Sequence, residues 1–284
     1  YVLYWMQQSQ RAEGNHALEY AVLQANHLDL GVVVAFGITD DYPDANLRHY
    51  TFMLEGLTET KALLEKRGIQ LVVRRGSPPD VALKLGNNAV MIVCDRGYLK
   101  HQRKWRDRVA RKASCRVVQV ESDVVVPVET VSPKAEYAAR TIRPKIQKHL
   151  DDYLMELKPV TVQHPTVNHS FEGLEWNRPA DILAMLNIDH AVSDVSQFYK
   201  GGTSQAKKIF DNFIRSGLKN YEKNHNQPQT DDTSHMSMYL HFGQISPLYL
   251  ALKINNSAPH LDSAKASFLE ELIVRRELAA NFVY

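Results

Sequence analysis

Between residues 2 and 126 the chain alternates five short apolar runs with amphipathic stretches, an order that few folds accommodate. The apolar runs cover residues 2–5, 31–36, 69–73, 90–94 and 116–120. They are nearly continuous rather than alternating, as strands are when both faces of a parallel sheet are buried. Helical stretches at 13–27, 46–67, 79–85 and 99–113 separate them. In the second of these, Tyr50, Met53, Leu54, Leu57, Leu63 and Leu64 recur mostly at helical spacing. Right-handed crossovers then give a doubly wound parallel-sheet α/β domain. Such sheets bind ligands beyond the carboxyl ends of their strands, here residues 6–7, 37–40 and 95–96. No G-x-G-x-x-G follows the first run and no G-x-x-x-x-G-K-[ST] occurs anywhere. Neither a dehydrogenase-type dinucleotide site nor a P-loop is expected.

The pattern changes after residue 126. Pro127, Pro133, Pro144, Pro159, Pro165 and Pro179 punctuate a stretch to residue 200, and 158–178 keeps no period. Within it, 134–150 reads as one or two short helices. From Gly201 onward the chain is helical throughout. Ala206, Ile209, Phe210, Phe213 and Ile214 share one face of the first of these helices. The last, 261–284, turns Phe268, Leu269, Leu272, Ile273 and Ala279 inward, and Glu271 and Arg275 stand four apart as an i,i+4 pair. Between them Thr233, Ser234 and Ser237 precede a short amphipathic run. Hydroxyls there are expected to cap a helix start, a place that also favours an anion. The resulting organisation is 1–126, an α/β domain; 127–200, a linker; and 201–284, a helical region.

Charge and composition narrow the classes. The formal net charge is only +2, so any nucleic-acid surface has to be local. The stretch 99–112 carries seven Lys or Arg against one Asp, and the solvated outer face of a crossover helix explains it more readily than a phosphate-binding face does. Cys94 and Cys115 lie in apolar runs and suit buried thiols rather than a disulfide framework. His164 and His169 have no partners at zinc-site spacing, so no metal is expected. No apolar run has membrane-spanning length, no signal peptide opens the chain, and no Ser-His-Asp elbow, HExxH or EF-hand loop is present. The helical run into Tyr284 meets no stop signal, so the chain is expected to continue past it.

Four segments together resemble the photolyase/cryptochrome family, and within it the class II cyclobutane pyrimidine dimer photolyases. FYKGGTSQAKKIFDNFI, with Tyr221 downstream, is similar to the opening of the flavin domain. SHMSMYLHFGQISP is similar to the family's SxLSPYLHFGQIS run, with Met236 and Met238 in place of Leu and Pro. FLEELIVRRELAANFVY at 268–284 resembles the class II substrate-facing helix, and EYAARTIRP at 136–144 its linker. His225 stands where relatives often carry Arg. The resemblance covers essentially the whole chain. It implies an antenna domain over 1–126 and, over 201–284, the N-terminal part of an all-α FAD-binding domain that continues well past Tyr284. Tyr221, Thr233, Ser234, His235, Met236, Ser237, Phe268 and Arg275 match flavin contacts, and Glu271 matches the glutamate that hydrogen-bonds the damaged pyrimidine pair.

The implied activity is a DNA-repair lyase. Reduced FAD, excited by blue or near-UV light, passes an electron to a cyclobutane pyrimidine dimer, the ring splits and the electron returns. UV-damaged DNA is then the partner, with the dimer flipped into the pocket, and a monomer without membrane association is expected. The location is cytoplasmic, at the nucleoid of a prokaryote, or nuclear in a eukaryote. An antenna chromophore, which no motif names, has a place at the open ends of strands 1, 2 and 4. A cryptochrome-like photosensor shares fold and flavin but has no need of Glu271. A third reading, a nucleotide-binding α/β module without light chemistry, gives the basic stretch 99–112 more weight.

Overall fold

In a computed structural model, residues 1–176 and 178–284 are described. Five parallel strands form one sheet in the order β3-β2-β1-β4-β5. They are β1 (Val2–Trp5), β2 (Val32–Ile38), β3 (Gln70–Arg75), β4 (Met91–Asp95) and β5 (Arg116–Val120), joined by helices α1 (His16–His27), α2 (Leu47–Lys66), α3 (Pro78–Gly86) and α4 (Lys100–Lys112). Val2 pairs with Val32 on one side and Met91 on the other, so β1 is central. Every residue of β1, β2 and β4 is buried, which is why their sequences are apolar runs. Successive residues of β1 serve opposite cores. Val2, Tyr4 and Met6 pack with α1 and α2, whereas Leu3 and Trp5 pack with Val81 and Leu85 of α3 and Val109 of α4.

Helix α4 keeps Lys100, Arg103, Lys104, Arg111 and Lys112 exposed, but Arg106 is buried on Gln119 and Arg108 pairs with Asp80. Beyond β5 come α5 (Val128–Val131), α6 (Ala139–Tyr153) and α7 (Pro179–Leu183). Residues 134–150 therefore yield one helix, α6, with Pro144 inside it. This stretch is divided between two cores. Ile142 and Ile146 join the helical core, while Trp176, Ile182 and Leu186 join the α/β core. Thr166 and Leu174 donate backbone N–H groups to Gly68 and Val73, covering the edge of β3.

The helical region comprises α8 (Thr203–Asn212), α9 (Leu218–Asn224), α10 (Ser237–His241), α11 (Pro247–Asn255), α12 (Asp262–Leu269) and α13 (Arg276–Val283). A π-helical turn, Phe213–Gly217, joins α8 to α9, and a second, Glu270–Arg275, joins α12 to α13. The second turn rephases the last helix: Phe268, Leu272, Ile273, Val274, Glu277 and Asn281 are buried and Ala279 is exposed. The inward position expected for Ala279 fails because a π turn inserts one residue into the i→i+4 register.

Arg11, fully buried, ties the two regions together. Its guanidinium donates to Asp123 Oδ1 (2.8 Å), Gly243 O (2.9 Å), Ser122 O (2.7 Å) and Gly14 O (3.2 Å). Gly243 has φ +63°, and a Cβ there would overlap the Gln8 carbonyl oxygen. Gly243→Ala is expected to lower stability by more than about 1 kcal/mol, the cost of left-handed backbone before any overlap. Denaturant unfolding measures it, and a change near zero would refute the close approach.

Candidate functional site

Two sites emerge. The first is a buried aromatic cluster in the helical region. Tyr221 of α9 meets Phe268 of α12 at 5.7 Å between ring centroids, and Phe213 meets both at 5.5 Å. His225 stacks on Tyr221 at 4.8 Å and 22°, its Nδ1 2.8 Å from the Tyr221 carbonyl oxygen. Phe213 opens one π turn and Phe268 lies just before the other, so the register breaks flank the cluster. Such bulges recur at functional sites because they re-aim side chains that a regular helix would bury or scatter. Glu271 is exposed on the second bulge, and its charge bears on the Tyr221 phenol. Burial first, and that negative charge second, push the Tyr221 phenol up to about 12.

The expected Glu271–Arg275 pair does not form. Arg275 reaches Glu270 instead, at 3.4 Å, and Glu270 also receives both arms of Arg143, at 2.7 and 3.0 Å. An i,i+5 partner replaces i,i+4 because the intervening turn is π-helical. Glu271 is thereby left outside the ion-pair cluster.

The run 233–237 is joined to α9 through Asp232, which accepts from Asn220 (3.2 Å) and Asn224 (2.6 Å). Met236 is buried in the same core as Tyr221 and Phe268. Capping differs from expectation: Met236 occupies the N-cap of the five-residue α10 with no side-chain cap bond. Among the described residues, Ser234 Oγ accepts only from Met236 N–H, at 3.4 Å. His235, at φ +53°, turns the chain and sits 2.7 Å from Asp231 and 3.4 Å from the Tyr199 hydroxyl. Ser237 is exposed, and among the described residues neither its hydroxyl nor that of Thr233 has a hydrogen-bond partner. Hydroxyls left unused by a cap suit an anionic ligand such as a diphosphate.

The second site is a cleft of about 400 Å³ beyond the carboxyl ends of β1 and β2, lined by Gln7, Gln10, Tyr42, His101, Trp105 and Phe242 among others. It adjoins the crevice between β1 and β4 where the strand order reverses. Tyr42, His101 and Trp105 form an edge-to-face cluster, with His101 5.0 Å from each of the others. Burial lowers the His101 imidazole below its ordinary value. Both amide atoms of Gln7, Gln10 Oε1 and His101 Nε2 are buried without a partner among the described residues. Orphaned polar atoms around an apolar cleft are what a bound polar ring would satisfy. Other strand-end groups are already engaged. Asp95 Oδ2 accepts N–H groups of Gln7, Gln8 and Ser9 at 2.9–3.0 Å and Oδ1 the Tyr4 hydroxyl at 2.6 Å. Asp40 pairs with Arg75 and accepts from Asn187. Sequence reasoning marked these strand ends, but not which side chains converge there, nor either π turn. Among the described residues no His, Cys, Asp and Glu cluster is placed to hold a metal ion, and no helix is long and apolar enough to cross a membrane.

The family model for DNA photolyase matches residues 2–166. The deoxyribodipyrimidine photo-lyase of Methanothermobacter thermautotrophicus is 46% identical over 285 residues, covering 100% of this chain and 61% of that protein. A bacterial class III photolyase from Agrobacterium tumefaciens superposes with a TM-score of 0.74 at 19% identity, over 99% of this chain and 58% of the other. A Synechocystis cryptochrome gives 0.77 at 15% identity, over 99% and 61%. The chain spans 53–61% of the length of the curated relatives it matches.

Proposed function

The chain belongs to the DNA photolyase family, and on that premise we propose that it serves light-driven DNA repair, as a class II enzyme that splits cyclobutane pyrimidine dimers. Bound reduced FAD supplies the photoexcited electron that opens the cyclobutane ring. Tyr221 and Phe268 give a dry aromatic wall against which a flat ring is held away from water. The free hydroxyls of Thr233 and Ser237, with Ser234 and the turn at His235, face the diphosphate, while buried Met236 anchors that run to the core. Arg275, exposed and only loosely held by Glu270, offers a cation to the same anionic ligand. Glu271 donates a hydrogen bond to a pyrimidine carbonyl. Its exposure means that the dry surroundings this requires come from the lesion laid over it. Flipping of the dimer into a pocket is a property of photolyases as a class. The cleft lined by Gln7, Gln10 and His101 takes the antenna chromophore, a polar aromatic ring that pairs the orphaned amide and imidazole atoms. We place the domain limits at 1–126, 127–200 and 201–284. The protein works as a monomer, in the compartment that holds the DNA.

The observation that carries this reading is the packing of Tyr221 on Phe268 just before the π turn that bears Glu271, a carboxylate without an ion-pair partner among the described residues, within a chain of this family. The photolyase and cryptochrome folds match it about equally, so the fold does not separate repair from photosensing. Glu271 favours repair, because a sensor needs no carboxyl facing a dimer. In the full-length protein, flavin absorption bands and loss of thymine dimers under blue light after reduction are expected, with further near-UV or blue bands from an antenna. A protein that stays colourless after FAD reconstitution would sink the flavin reading. Flavin bands without dimer loss would shift it to a photosensor.

A further inference from the structure

Helix α13 is fastened to the segment that follows β5 by buried polar contacts. Glu277 is 2% exposed, and its Oε1 accepts the backbone N–H groups of Val125 (2.6 Å) and Val126 (3.4 Å). Its Oε2 is buried with no partner among the described residues. One turn on, Asn281 Oδ1 accepts from Glu136 N–H at 2.7 Å and its amide donates to Lys134 O at 3.2 Å. Arg276 donates to the Asp123 carbonyl, and Asp123 in turn holds Arg11. These contacts run along one side of α13, and Glu271 projects from the π turn that precedes it.

Resting on the function proposed above, we propose that Glu277 is a positioning residue for that reaction: by clasping Val125 and Val126 it fixes the rotation at which Glu271 faces the lesion. The physical reason lies in the π turn. One extra residue is held in a widened turn, and reversion to α-helical register would rotate one side of it about 100° against the other. Phe268, buried among Phe210, Phe213 and Tyr221, fixes the side before the turn. Glu277 and Asn281 fix the side after it. Glu271 lies between the two anchors, so its direction is set only while both hold.

Burial pushes the Glu277 carboxyl up to about 8. The two N–H groups and Arg276 pull it down, and Glu121 beside it pushes it further up. Glu129 of α5, also on this side, is engaged by Arg96 and the Tyr284 hydroxyl. The clasp is therefore made by a neutral carboxyl at neutral pH. Unfolded, the group ionises near 4.5; folded, near 8. Its contribution to stability is full below the lower value, falls as pH rises between the two, and is constant above the upper one.

The test uses the full-length, flavin-loaded enzyme. Glu277→Ala is expected to keep flavin and lesion binding, to lose about tenfold in repair per absorbed photon, and to exchange the Val125 and Val126 amides about tenfold faster, the scale of one buried hydrogen bond. Glu277→Gln keeps the Oε1 acceptor. It should stay within about twofold of the parent in both readouts and lose the fall in thermal stability between about pH 5 and pH 8. Parental repair in Glu277→Ala overturns the proposal, and so does a Gln variant as impaired as the Ala variant. If the unsubstituted protein repairs nothing, the functional reading has failed, and with it the positioning role. Amide exchange and the pH profile then still report whether the clasp itself exists.

Discussion

Glu271→Ala is expected to retain bound flavin and lose most of its repair per absorbed photon, by about tenfold, the scale of one hydrogen bond to a charged partner. The side chain is exposed and, among the described residues, belongs to no ion pair, since Glu270 takes both Arg143 and Arg275. Removing it opens no cavity and strands no buried partner, so unfolding should change by less than about 0.5 kcal/mol. The proposed flavin contacts at Tyr221, Phe268 and 233–237 are untouched. On the proposed function, what disappears is a donor to the pyrimidine carbonyl as negative charge develops there, an interaction worth most when charge peaks. Flavin absorbance, lesion affinity and quantum yield under blue light separate these effects. A parental quantum yield in this variant would sink the assignment of Glu271 to the lesion.

Asp123→Ala should be among the most destabilising single changes in the chain, by about 3–5 kcal/mol. Arg11 is fully buried, and Asp123 Oδ1 at 2.8 Å is its anionic partner. The other acceptors, Gly243 O, Ser122 O and Gly14 O, are neutral carbonyls. Without the carboxylate a guanidinium remains charged where water cannot reach it, and the Ser9 hydroxyl loses its acceptor at 3.0 Å. Because Arg11 bridges the β1 loop, the segment after β5 and the turn at Gly243, the loss is felt between the two regions. Replacing both partners, Arg11→Met with Asp123→Leu, should recover much of the loss, since apolar groups of similar volume carry no unpaired charge. Chemical denaturation measures both. A loss below about 1 kcal/mol for Asp123→Ala would refute the isolation assigned to Arg11.

Much of the fold was legible because strands buried on both faces demand apolar runs, and β1, β2 and β4 are such strands. The candidate site was legible in part. Tyr221, Phe268 and Met236 share a core as their apolar character requires. The Glu271–Arg275 pair and the Thr-Ser cap fail for separate local reasons: the π turn at Glu270–Arg275 replaces the i,i+4 spacing, and the N-cap of α10 falls on Met236.

The sequence by itself determined the parallel α/β sheet, the helical region after Gly201 and the residue types of the proposed flavin and lesion contacts. Tertiary structure alone decided that Glu271 stands free of Arg275, that Gln7, Gln10 and His101 converge on one cleft, and that Glu277 turns inward. The physical reason is the range of the forces involved. Hydrophobic periodicity is written into neighbouring positions. A helix register shift, an orphaned amide or a buried carboxyl depends on desolvation and on partners more than 100 residues away, as Val125 is from Glu277.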